Sequence, residues 1–344
     1  MTLRRTAAAL LAATTLALLP DAPASAAPAG PLPFIGATTV GIHNTYDPAA
    51  FPYLAKALDT GTSLIELDAW TDTVTTEWKV SHSNPLGNAN NCVAATSAAQ
   101  LYTGSGNKNL EHCLDDIRLW LGAHPTSGPL VVKLELKGGF AANRGMGPAQ
   151  LDALIAAHLG PAVFRPADLL GSHPSLDAAA RAGAWPSRAA LAGRVLLHVI
   201  PGTVEEQNPF DTLHTDVEYA RHLRDLAAAG RLSQAQVFPA VHGAAGGDPR
   251  TKYADTTIRP WFAVFDGDAA AYLTNGADLS WYDRNHYLLV MTDAHSVAPA
   301  ISATTPTPDQ ARARITQLAA AHASIATSDW RTLPDIQSLV LPRG

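Results

Sequence analysis

Charge is scarce in this chain. Asp, Glu, Lys and Arg supply 16% of its 344 residues and apolar types supply 47%. That balance excludes a disordered or fibrous polymer and leaves a globular fold with a substantial core. Basic residues are fewer than acidic ones, 24 against 30, and they form no Lys/Arg stripe. Nucleic acid is thereby excluded as a partner, as is strong electrostatic adhesion to anionic membranes. Long apolar runs are missing too. The best candidate, residues 7–19, is too short to span a bilayer. It follows Arg4-Arg5 and precedes the small-residue cleavage site Ala24-Ser25-Ala26. Residues 1–26 are therefore expected to be a secretory signal peptide cut near Ala26, which leaves a secreted, extracellular chain with no stable membrane anchor. Losing Arg4, Arg5 and Asp21 with the leader takes 24 basic and 30 acidic residues to 22 and 29, a net charge of −7. Cysteine is almost absent. Cys92 and Cys113 are the only two, and without closely spaced partners they make no zinc site. Outside the cell the pair is expected to be a disulfide. A loop of about 20 residues closed in this way stabilises by roughly 3 kcal/mol in the chain-entropy model.

What the chain does have is alternation. Strand-like apolar runs fall at 38–41, 64–70, 130–136, 195–200, 236–241, 261–265, 287–292 and 324–327. Between most of them lie Ala/Leu-rich stretches with helical spacing, at 109–121, 150–159, 216–229 and 308–321, with a shorter one at 268–274. Several strands are apolar throughout, as expected when both faces are covered. Eight strands alternating with helices predict an α/β fold of the TIM type, a (β/α)8 barrel. No repeat or low-complexity linker interrupts residues 27–344, so a single domain is expected there.

Active sites of such barrels collect at the C-terminal ends of the strands, and the polar residues at those ends form a set. The first strand ends in Gly41-Ile42-His43-Asn44. The second reads Leu64-Ile65-Glu66-Leu67-Asp68, with Glu66 and Asp68 on one face. Two acids side by side on a buried strand need a positive partner, and as oxygen ligands they favour a hard cation, calcium or magnesium. Ser81-His82-Ser83 follows in a short extended segment returning to the same mouth. The third barrel strand adds Lys133, Glu135 and Lys137 on one face; Glu135 is a third acid, and either lysine could face a substrate anion. Asp293 and His295 after the seventh strand, His242 after the fifth, and Trp281 and Tyr282 nearby are weaker candidates for a substrate pocket. His198, inside an apolar strand, reads as a core residue, and His112 has no evident role.

His-Asn, Glu-x-Asp, Ser-His and Leu-Glu-Leu-Lys in this order resemble the catalytic half of calcium-dependent phosphoinositide phospholipases C. The segments GIHNTYD, LDTGTSLIELDAW, WKVSHSNPLGNANNC, LVVKLELK and LLGSHPSLDAAARAGAWPSRAALAGRVLLHV are most similar to a secreted bacterial branch of that superfamily. They cover residues 35–200. The resemblance implies a TIM-like barrel, His43 and His82 as the acid–base pair (His43 as base, His82 as acid), and Asn44, Glu66, Asp68 and Glu135 as ligands of Ca2+. It implies a phospholipid substrate met at a membrane surface, and a monomer is expected. The chemistry fits the residue types. Two histidines in opposite protonation states can take a proton from an attacking hydroxyl and give one to the leaving oxygen. On an inositol lipid, the adjacent 2-hydroxyl would release diacylglycerol and a cyclic inositol phosphate, open to later hydrolysis. Glycerophosphodiester phosphodiesterases and sphingomyelinase D-like phospholipases share the two-histidine, Glu-x-Asp logic. The former usually show His-Arg and His-Asp where this chain has His43-Asn44 and His82-Ser83. A secreted binding module that has lost catalysis is the third reading, and it leaves the retained acids without a purpose.

Overall fold

The computed structural model describes residues 32–344, so the expected signal peptide lies outside the described residues. Ten strands share one sheet: β1 Ala37–Ile42, β2 Leu64–Asp72, β3 Glu77–Val80, β4 Leu130–Leu136, β5 Val195–Pro201, β6 Val237–His242, β7 Val264–Asp268, β8 Leu288–Thr292, β9 Ile325–Ser328 and β10 Val340–Pro342. Eight of them (β1, β2 and β4 to β9) run parallel and close when Gly41–Ile42 of β1 meet Leu64–Ile65 of β2. The barrel expected from the alternation is present. β3 folds back antiparallel on β2, and β10 lies antiparallel against the start of β1. Gly41 sits where three strands converge. A Cβ there would lie 2.8 Å from both Leu64 Cβ and Thr327 Cγ2, so only glycine lets β1 reach its neighbours.

The eight barrel strands are buried on both faces almost throughout, and the inward face is not uniformly apolar. Glu66 pairs in register with Lys133 and Lys133 with His198; one pleat further, Asp68 pairs with Glu135. β7 is the one strand placed differently from expectation. Arg259–Trp261 forms a 3₁₀ turn, and the strand runs on through Asp266 to Asp268. Asp266, just past the expected run 261–265, is tolerated inside the strand because Lys133 Nζ and His198 Nε2 meet it, at 3.3 and 3.2 Å.

The long helices Leu110–Ala123, Pro148–Leu159, Thr215–Ala228 and Pro308–Ala320, with the shorter Ala269–Thr274, lie within two residues of their expected bounds. Thr307 starts the last long one with a capping box: its Oγ1 accepts from Gln310 N while Gln310 Oε1 accepts from Thr307 N. Trp281 and Tyr282 prove unrelated to the mouth. They lie on a short helix, Leu279–Arg284, leading into the N-terminal end of β8, and Tyr282 packs edge-on to Phe265 behind the barrel wall. No helix among the described residues is long and apolar enough to cross a membrane.

Cys92 and Cys113 are bonded, tying the long segment after β3 to helix Leu110–Ala123. The same segment is fastened by Asp116, whose carboxylate accepts from Val93 N and Ala95 N. Asn91 fastens it to the loop after β1, donating its amide to Thr45 O and Phe51 O. This bracing fixes the stretch that carries His82.

Candidate active site

β2 and β4 carry the acids because alternate residues of a strand share a face, and parallel register sets Asp68 beside Glu135. Glu66, Asp68 and Glu135 each offer an oxygen within 4.8 Å of the others. Oxygens bound to one calcium at about 2.4 Å can lie no more than about 4.8 Å apart, so the spacing suits a single hard cation. Asp68 Oδ1 adds a second sign, being buried with no hydrogen-bond partner among the described residues. Asn44 stands beside this group in a left-handed conformation, φ 51°. Its backbone N–H donates to Glu66 Oε2 at 3.3 Å, and its Oδ1 accepts from the Tyr46 hydroxyl at 3.0 Å. The four ligands expected from sequence are therefore neighbours, and an all-oxygen set with an unpaired carboxylate oxygen fits Ca2+.

Buried charge of this density has to be balanced. Lys133 Nζ lies 3.2 Å from Glu66 Oε1 and 3.3 Å from Asp266; Lys137 Nζ lies 2.7 Å from Glu135 and 3.3 Å from Asp68. The two lysines expected to face a substrate anion thus spend their charge on the acids. Burial opposes ionisation of Glu66, but Lys133 and then His43 hold its carboxyl below the usual range. Burial pushes Asp68 up to about 7, helped by the neighbouring Glu66 and Glu135 charges and only partly offset by Lys137.

His43 is held on both sides, Nε2 at 3.4 Å from Glu66 and Nδ1 at 3.2 Å from Asp329. Burial works against its imidazolium. Glu66 and then Asp329 outweigh that and push the imidazole up to about 9. Asp329 was not singled out from the sequence. It ends the last barrel strand, the position that marked His43 and Asp293, and that rule applied to the eighth strand would have found it. His82 stands exposed on the adjoining lip, lining a cleft of about 220 Å³ with Asn44, Tyr46, Asp47 and Ser81. His43 lines a second cleft of about 190 Å³ with Glu66, Lys133, Glu135, Thr203, His242, Thr292 and Asp293. Asn44 follows His43 in the chain and so stands between the two.

The weaker candidates divide. Asp293 and His242 line the His43 cleft, and His242 Nδ1 pairs with Glu206 at 2.7 Å. His295 stands behind them, 3.4 Å from Ser328 Oγ and 4.0 Å from Asp293. His198 is in the core as expected, bonded through Nε2 to Asp266, though its Nδ1 is buried without a partner among the described residues. Thr203 went unnoticed in the sequence; its backbone N–H donates to Glu135 Oε1 at 3.1 Å.

No family model matches the sequence, and no curated protein does. Solved structures do. A Ca2+-dependent phosphatidylinositol-specific phospholipase C from Streptomyces antibioticus is 56% identical, with a TM-score of 0.89, and the alignment covers 91% of this chain and 99% of that one. A calcium-dependent phosphoinositol-specific phospholipase C from Pseudomonas sp, a Gram-negative bacterium, is 21% identical with a TM-score of 0.65, covers 91% and 96%, and shares the fold. Identity above one half over nearly the whole of the Streptomyces enzyme settles the family: this chain belongs to the calcium-dependent phosphatidylinositol-specific phospholipases C.

Proposed function

We propose that the protein is a secreted, calcium-dependent phosphodiesterase that cleaves phosphatidylinositol into diacylglycerol and a cyclic inositol phosphate. The observation that carries this reading is the convergence of Glu66, Asp68 and Glu135 within 4.8 Å, beside His43, at the mouth of the barrel. The Streptomyces enzyme with 56% identity supports the lipid class, and the leader-like residues 1–26 support export.

In this reading the head group enters the cleft lined by Lys133, Thr203, His242 and Asp293, with Lys137 and His295 behind, and the lipid leaves past His82. Asp329 holds Nδ1 of His43, which directs Nε2 toward the reacting hydroxyl. His43 takes that hydroxyl's proton as its oxygen bonds to phosphorus. His82 gives a proton to the departing diacylglycerol oxygen, so charge does not accumulate on either side. When bound by Glu66, Asp68, Glu135 and Asn44, calcium lowers the pKa of the attacking hydroxyl, neutralises charge on the phosphoryl oxygens and takes up the Glu66 charge that otherwise keeps His43 protonated. The attacking hydroxyl and the phosphorus belong to one substrate, so proximity does much of the rest.

His43→Ala and His82→Ala should each lower kcat/KM on phosphatidylinositol by about 10²–10⁴, with the circular dichroism spectrum unchanged and calcium still bound. Near-native turnover in either variant refutes the assignment.

A further inference from the structure

Two titratable groups deep in the barrel, Asp266 and His198, have no part in the proposed chemistry. Both are fully buried, and neither lines the His43 cleft, so no substrate reaches them. A carboxylate held at that depth is costly unless it is paired.

The barrel sets Asp266 opposite the acids. β2, β4 and β5 carry Glu66, Lys133 and His198 at one level, Glu66 in register with Lys133 and Lys133 with His198. Asp266 reaches the same layer from β7, on the far side of the barrel from β2. The result is an unbroken chain of polar contacts. His198 Nε2 lies 3.2 Å from Asp266 Oδ2, Asp266 Oδ1 lies 3.3 Å from Lys133 Nζ, Lys133 Nζ lies 3.2 Å from Glu66 Oε1, and Glu66 Oε2 lies 3.4 Å from His43 Nε2. His198 Nδ1 has no partner among the described residues, so a neutral imidazole places its one proton on Nε2. It then donates to Oδ2 and fixes the turn of the carboxylate. Burial opposes ionisation of Asp266, but Lys133 and then His198 hold its carboxyl well below the usual range.

We infer that Asp266 is a positioning residue for the calcium site: by sharing Lys133 with Glu66 it keeps Glu66 available to the metal, and so raises calcium affinity while touching neither metal nor substrate. This deepens the proposed function, on whose ligand set it rests. Charge supports it first. With the acids ionised and His43 in its free-base form, Glu66, Asp68 and Glu135 carry three negative charges against two positive ones on Lys133 and Lys137. Asp266 adds a fourth negative charge, which leaves an excess of two, the charge of one calcium ion. The filled site is then neutral, and no uncompensated charge is buried. Geometry supports it as well. Lys133, held between two carboxylates, meets Glu66 through Oε1, while Oε2 faces His43 and accepts from Asn44 N. Without Asp266, Glu66 becomes the nearest counter-ion of Lys133, and calcium has to compete with the ammonium for it.

Titration calorimetry with calcium chloride tests this without catalysis, on the wild type, on Asp266→Asn, and on Asp266→Asn combined with Lys133→Met. Circular dichroism and Tm establish that each is folded. Asp266→Asn leaves the Lys133 charge to Glu66 and should weaken calcium binding about 10- to 100-fold. The double variant removes both charges together and fills the lysine's space with an unbranched apolar chain. It restores the excess of two and should bind within about threefold of the wild type, since a buried pair is often replaceable by neutral groups. Wild-type affinity in Asp266→Asn overturns the positioning role and leaves the ligand set standing. Equally weak binding by both variants assigns Asp266 and Lys133 to holding the strands in place, and also overturns it. Should Asp266→Asn not fold alone, the double variant decides: affinity near that of the wild type upholds the role, and a loss of about tenfold or more overturns it. A wild type that binds no calcium fails the ligand set itself, and the role of Asp266 with it.

Discussion

Asp68 keeps its proton to about pH 7, because burial and the neighbouring Glu66 and Glu135 charges penalise its carboxylate. Calcium needs that carboxylate ionised, so binding must expel the proton. Affinity for calcium should therefore decline as pH falls through about 7, with protons released on binding in that range. Titration calorimetry in two buffers of different ionisation heat reads this release directly. Asp68→Asn should weaken binding and flatten the profile; an affinity independent of pH in the wild type contradicts the arrangement. The acids themselves were legible in the sequence because Glu66 and Asp68 stand two apart in an apolar strand. Their balancing by Lys133 and Lys137 was not. Parallel register decides which lysine meets which acid, and register comes from the closure of the barrel.

Strands and braces divide the site between them. The acids ride on β2 and β4, which are fixed by ladder hydrogen bonds, whereas His82 rides on the segment fastened by the disulfide and by Asp116 and Asn91. Cys92→Ala with Cys113→Ala should cost about 3 kcal/mol of stability, measured by urea unfolding. It should lower turnover more than calcium affinity, since it loosens His82, the acid of the proposed mechanism, and leaves the proposed ligands in place. Matching losses in both, at a temperature where the variant is folded, argue against this division. Elements with a long period were visible in the sequence. Of the short ones Ala269–Thr274 was expected, whereas Leu54–Leu58, Pro166–Leu170 and Leu176–Arg181 offer too few turns for helical spacing to mark them. β7 was misplaced for a different reason. The apolar run stops before Asp266, and only the cation and imidazole supplied by β4 and β5 make that aspartate an interior residue.

At the scale of the molecule, one barrel gathers residues from both ends of the chain, His43 after β1 and Asp329 after β9, into one contact. Fold class followed from alternation, whereas the contributions of Asp266 and Asp329, from the second half of the chain, depended on closure. A cation that bridges β2 and β4 should stabilise the whole fold. At a calcium concentration of about 100 Kd the gain is about 2.7 kcal/mol, seen as a rise in Tm that magnesium reproduces weakly and that Glu66→Gln with Glu135→Gln abolishes. An unchanged Tm in calcium speaks against these ligands.

The central claim is that the acids and the histidine pair make a calcium-dependent phospholipase C. Incubating the purified protein with phosphatidylinositol, with calcium and then with excess chelator, and identifying the products by phosphorus NMR and lipid chromatography, tests it most directly. The account predicts diacylglycerol and a cyclic inositol phosphate in calcium and neither in chelator. Release of phosphatidate or of glycerol phosphate, or cleavage undiminished by chelation, would contradict it.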